Sequence, residues 1–274
     1  MKDSLSKKYM KTKKNYTDEV IMKIELKQRF IDSWHKYFPG ADLPITFYYT
    51  DEEGRAEPMK KAEGMHCLIC DLMQVRNGRS VQFDVETIGC FGGKRYLGFA
   101  DALMPNFEYF LSCGIPGKME GERYKKSPEL VRELMTKQKP FKAPGKYIVF
   151  KRWDNLDEKD EPSVVIFFAP PDVLSGLFTL TSFDETESNS TIAPMGAGCG
   201  TIVYYPYHEL QSENPRAILG MFDVSARPCV PPEVLTFSVP LPKFIHMVEN
   251  MDESFLTTKA WQKVRERISK TAKR

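Results

Sequence analysis

The cysteines of this chain follow a pattern that occurs twice, and the duplication constrains the fold more than any other feature. Gly64-Met-His-Cys67 opens an apolar stretch running to Gly78, the β-rich Val81-Gln-Phe-Asp-Val-Glu86 follows, and Cys90 then sits in Gly89-Cys-Phe-Gly-Gly93. Gly196-Ala-Gly-Cys199 begins the same order, with the apolar run Thr201 to Tyr207, the strand-like Ala217-Ile-Leu-Gly-Met-Phe222 and then Arg227-Pro-Cys229. Thiols held where elements begin and end can line one site, whereas thiols scattered over apolar faces are usually packing. The repeat lies in the order of events more than in residue identity, and an insertion around His208 to Asn214 changes the cysteine separations.

Composition places no special demand on this arrangement. A chain of 274 residues buries a sizeable core without covalent staples. Apolar content of 42%, aromatic content of 12% and a net charge of +2 exclude the disordered and nucleic-acid-coating classes. Lys2, Lys7, Lys8, Lys11, Lys13 and Lys14 crowd the start, and Lys259, Lys263, Arg265, Arg267, Lys270, Lys273 and Arg274 the finish. A solvated helix face and a frayed end account for them, and without an accompanying recognition motif they weigh against a nucleic-acid partner. No stretch reaches membrane-span length and the start lacks a secretory apolar core, so the expectation is a cytoplasmic protein with no membrane partner. Its six cysteines are then expected as reduced thiols, which favours a metal or free-thiol role over a disulfide framework.

Periodicity supplies the elements. From Asp18 to Tyr37 the apolar residues recur at helical spacing up to Pro39-Gly40, and Leu43 to Thr50 reads as a strand followed by a turn at Asp51 to Arg55. Ser127 caps a short helix to Met135, Lys146 to Phe150 and Ser163 to Phe168 are strands, and Asp172 is placed to cap a helix starting at Pro170. Leu235 to Val239 is a last strand, followed by helices from about Pro242 to Met251 and over 253–270. No linker divides the chain. The expectation is a basic tail over 1–17 and a single α+β domain over 18–274, with a mixed sheet, flanking helices and two similarly ordered halves at about 42–145 and 146–251. A homo-oligomer is compatible with it.

Between Gly64 and Gly78, Met65, Leu68, Ile69, Leu72 and Val75 fall on one side of a helical wheel, and Cys67 and Cys70 lie off that stripe beside Asp71 and Gln74. Cys67 falls in the first turn, where the helix dipole lowers a thiol pKa. In the loop after Cys90, Gly92 and Gly93 permit a tight turn or a close approach to an anion, although the spacing is not that of a Walker A loop. The polar segment Phe183 to Thr191 is a surface loop or a lid over the site.

On Cys67-Leu-Ile-Cys70 with Arg76-Asn-Gly78, Cys90-Phe-Gly-Gly93 with Tyr96-Leu-Gly98, Cys199 before Tyr204-Tyr-Pro206, and Gly220 to Arg227 leading to Ser238-Val-Pro-Leu241, the chain resembles domain of unknown function family 169, the archaeal conserved region family, from about Asp42 to Met251. The resemblance implies a site at Cys67 or Cys70, Cys90, Cys199 and Arg227, and implies no particular reaction.

Several chemistries suit these residues. Cys67, Cys70, Cys90 and Cys199 are four soft donors of the kind that zinc or an iron-sulfur cluster takes, with His66 or Cys229 able to replace one of them. Cys67 with Cys70 as resolving partner is a redox pair. Gly92, Gly93 and Arg227 are set for a small anionic ligand, unless Arg227 is spent on Asp223. The cysteines also suit a purely structural role. His35, His208 and His246 show no metal-ligand spacing, and the paired carboxylates sit in solvated turns, which leaves a glycosidase reading without an anchor.

Overall fold

The sheet is built from β1 (Ile45–Thr50), β2 (Glu57–Pro58), β3 (Val81–Phe83), β4 (Tyr147–Arg152), β5 (Val164–Ala169), β6 (Thr191–Ile192), β7 (Ala217–Gly220) and β8 (Leu235–Pro240), in the order β2-β3-β4-β1-β5-β8-β7-β6. This is a computed structural model describing residues 21–61 and 63–271; the expected tail over 1–17 lies outside the described residues. At the centre β1 and β5 run antiparallel, with Ile45 opposite Ile166. Outward on either side, β4 pairs antiparallel with β1 as β8 does with β5, and β3 pairs antiparallel with β4 as β7 does with β8. The short edge strands β2 and β6 are parallel to β3 and β7. A twofold axis normal to the sheet, between β1 and β5, generates this order and these directions. The stretch 153–163 between β4 and β5 is the seam between the two sets of strands, since β4 hydrogen-bonds to β1 along its length from Ile45↔Arg152 to Thr50↔Tyr147.

Alternation along the central strands explains the two helical layers. All of β5 is buried: Val164, Ile166 and Phe168 face one apolar cluster, and Val165, Phe167 and Ala169 face the other. The first cluster is closed by α2 (Leu68–Arg76), through Leu68, Ile69, Leu72 and Val75, and by a π-helical turn (Gly200–Tyr204) through Ile202 and Val203. The second is closed by four helices: Phe30 and Trp34 of α1 (21–37), Leu177 of α6 (Pro171–Leu180), Phe244 and Met247 of α8 (Leu241–Asn250), and Trp261 of α9 (Lys259–Thr271). Each such side chain removed from water contributes about 1.5–3 kcal/mol, so both faces must be covered. The remaining helices, α3 (Phe91–Tyr96), α4 (Phe107–Phe110), α5 (Pro128–Lys137) and α7 (Tyr205–Glu209), complete the fold around the first face. No helix among the described residues is long and apolar enough to cross a membrane.

The crossover from β4 to β5 is held by a buried ionic cluster. The Asp160 carboxylate accepts from Lys151 Nζ at 2.7 and 3.0 Å and from Arg55 at 2.9 Å, and also from the Tyr48 hydroxyl. Its side chain is 0% exposed and that of Lys151 6%. Burial and the Asp160 charge push the Tyr48 phenol far above its usual range.

Local differences from expectation have simple causes. Met65 lies outside α2 and is exposed, because the helix begins only after Cys67. β3 stops at Phe83 because Asp84 turns back to accept the N–H groups of Glu86 and Thr87. Asp172 does not cap α6; Pro170 stands at that position and Asp172 binds Arg267 of α9. The polar segment 183–191 is tied to α8 by Glu185 to Lys243, and the buried Ser190 bonds back to Glu185 within it.

Candidate functional site

The twofold arrangement of the sheet sets the cysteines around its axis. In the first half, the helix following the edge strand starts at Cys67, which stands at the N-cap of α2. In the second, the equivalent position is Cys199, ahead of the π-helical turn. The segments leaving β3 and β7 carry the other two, Cys90 at the N-cap of α3 and Cys229 in a 3₁₀ turn (Arg227–Cys229). The halves interlock crosswise: α2 packs on the 227–229 turn, and α3 packs on the π-helical turn. π-turns of this kind recur at functional sites.

The sulfur atoms of Cys67, Cys70 and Cys229 lie within 4.8 Å of one another. Cys70 and Cys229 are joined as a disulfide with Cα atoms 4.7 Å apart, closing a separation of 159 residues across the seam. Six reduced cysteines were the expectation from sequence, and the bridge corrects it; it also removes Cys70 as a resolving partner for Cys67. Cys90 and Cys199 are free and do not belong to the trio. Instead they face, with Cys67, a cavity of about 390 Å³ at the seam.

Thiol activation is not what the site provides. Burial pushes the Cys67 thiol up, and the N–H groups of Ile69 and Cys70 only partly offset it, so the expected lowering at the helix start is reversed. The Cys199 thiol is pushed well above its usual range by burial and by the neighbouring Cys90, Cys67 and Asp223.

The anion site drawn from Gly92, Gly93 and Arg227 does not assemble. Arg227 donates to the carbonyl oxygens of Val234 at 2.6 Å and Pro232 at 2.8 Å, clamping the turn after Cys229, and it neither lines the cavity nor pairs with Asp223. Gly92 and Gly93 do line the cavity, from within the first turn of α3 and not from a loop. The Gly93 N–H donates to Cys90 Sγ at 3.2 Å, and a Cβ there would come within 2.9 Å of both that sulfur and Ile88. At Gly92 a Cβ would meet open space. His66 pairs with Asp71 at 2.8 Å.

One site residue was missed as such. Asp223 faces the cavity and takes the Gly198 N–H at 2.9 Å, the Tyr124 hydroxyl at 3.1 Å, and the Ser225 N–H and hydroxyl at 3.1 and 2.8 Å. Two residues before it, just after β7, Met221 is buried and held at φ 68°. A left-handed, bulky side chain costs about 1–3 kcal/mol, and such strain gathers at functional sites. The two other non-glycine residues at positive φ among those described, Asn106 and Arg123, likewise adjoin cavity residues, Phe107 and Tyr124.

The outer wall comes from the insertion spanning 99–146, through Leu103, Phe107, Phe110, Tyr124 and Met135. The second half has nothing comparable between its 227–229 turn and β8.

The model of domain of unknown function family 169, described as uncharacterised ArCR, matches residues 42–250. No curated protein and no solved structure matches the chain.

Proposed function

The chain belongs to the uncharacterised ArCR family, and we propose that it is a metal-binding protein that holds one soft ion on Cys67, Cys70 and Cys229 when the Cys70–Cys229 bridge is reduced. The observation that carries this is the approach of three sulfurs to within 4.8 Å of one another. For zinc, with Zn–S near 2.3 Å, tetrahedral geometry sets the sulfurs about 3.8 Å apart. The trio reaches that spacing by small side-chain shifts, whereas an iron-sulfur cluster, with its iron atoms spread over several corners, asks for sulfurs set wider. Thiolates suit zinc, and three of them leave a fourth position for an outside ligand. Cys67 also faces the cavity, so that position is reachable from it. A bound cation would reverse the burial effect on the Cys67 thiol by stabilising its thiolate.

The test is anaerobic purification in reductant, elemental analysis, and a cobalt(II) titration read at the sulfur-to-metal charge-transfer band. One equivalent should bind, Cys67→Ser and Cys229→Ser should lose it, and Cys113→Ser, at an exposed thiol outside the trio, should not. A reduced, folded protein that binds no stoichiometric zinc or cobalt refutes the proposal.

A further inference from the structure

We infer that the seam cavity is a binding site for an uncharged, predominantly hydrocarbon small molecule. Its volume, about 390 Å³, falls in the range that holds a drug-sized or cofactor-sized guest. Its walls are thioether, aromatic and aliphatic: Met104, Met135 and Met195 with Phe91, Phe107 and Phe110. Methionine-rich surfaces adapt to a guest's shape instead of fixing it.

Charge decides the ligand class. Among the described residues no lysine, arginine or histidine lines the cavity, and Arg227 is turned away onto carbonyl oxygens, so an anionic headgroup finds no partner among them. A cationic one fares no better, because the Asp223 carboxylate already accepts four protein donors. The other carboxylate, Glu122, is exposed at the rim. An anionic guest would therefore shed its hydration without a counter-charge, and a cationic one would have to compete with four donors for the Asp223 oxygens.

The entrance agrees with the interior. Met65, Phe91 and Met195 all line the cavity, yet they are 79%, 52% and 45% exposed. Large apolar side chains grouped at the mouth of an apolar cavity are the surface expected where such a ligand enters. Neither the volume nor the lining depends on a metal at the cysteine trio.

The test uses the full chain, oxidised and freed of metal with chelator, so that its failure is distinct from failure of the metal proposal. The neutral fluorophore N-phenyl-1-naphthylamine is titrated in, and decanol, decanoate and decylammonium then compete at equal concentration. Saturable probe binding is expected, with decanol displacing it at least about tenfold better than either ion, since each ion must shed its hydration. Gly92→Leu places a side chain into the open space at that position and should weaken probe binding at least about tenfold while the circular-dichroism melt shows an intact fold. Absence of saturable binding to the wild-type protein overturns the inference, as does equal competition by decanoate or decylammonium. Unchanged affinity in folded Gly92→Leu also overturns it.

Discussion

Reducing the Cys70–Cys229 bridge should cost this protein more stability than most point mutations, and zinc should restore much of it. The bridge closes a separation of 159 residues, for which the chain-entropy relation gives about 17 cal/mol/K, or about 5 kcal/mol at 25 °C. On the metal proposal, the same two sulfurs and Cys67 would become ligands in the reduced protein, and a bound ion would tie α2 to the 227–229 turn as the covalent bond did. At free zinc about a thousandfold above Kd, mass action returns about 4 kcal/mol. Guanidinium unfolding of a Cys113→Ser protein, oxidised, reduced, and reduced with zinc, measures all three states without mispairing at the exposed thiol. The order expected is oxidised most stable, zinc-loaded close behind and reduced apoprotein lowest. Oxidised and reduced stabilities agreeing within about 1 kcal/mol would refute the claim that this link holds the halves together, and zinc without effect on the reduced form would remove the ion.

Further predictions concern the groups around the seam. Asp160→Asn leaves the buried Lys151 only the half-exposed Asp157 as counter-charge and should cost about 3 kcal/mol by denaturant unfolding; a loss under about 1 kcal/mol would show that the cluster is not holding the crossover. Burial alone would raise the Asp157 carboxyl, but the Lys159 N–H and the Lys151 and Arg55 cations hold it down at about 2. Its stabilising contribution is accordingly complete above the ordinary 3.8 and is lost as pH falls from there towards about 2. Because the group is half exposed, the slope it adds to a stability-versus-pH curve is small, and Asp157→Asn should flatten it. Arg227→Met strips charged donors from the Val234 and Pro232 carbonyls and should cost about 1.5–3 kcal/mol; unaltered unfolding midpoints would contradict the clamp.

Much of the framework could be read from the chain because its signals are local. The α2 stripe, the Ser127 cap and the strands at 45–50, 147–152, 164–169 and 235–240 each depend on spacing within one element. What stayed hidden was decided by partners far away. Cys229 was recognisable only as a substitute ligand, because its approach to Cys70 depends on the crosswise packing of α2 on the second half. Arg227 looked free for an anion because backbone carbonyls, present at every residue, leave no mark in sequence when they become acceptors. Asp223 was visible only as a partner for that arginine; the left-handed Met221 two residues before it carries a side chain giving no hint of positive φ. Cys67 was misjudged electrostatically, since its position at a helix start is local but its burial is not.

The axis through the centre of the sheet gives this chain internally what two identical subunits would otherwise have to share. A true dimer repeats any change on both sides of its dyad, so its central site stays symmetric. Covalent union frees each copy to diverge alone. Here the 99–146 excursion has no counterpart between the 227–229 turn and β8, so the cavity it helps to wall is asymmetric and a guest lying there meets two unlike ends.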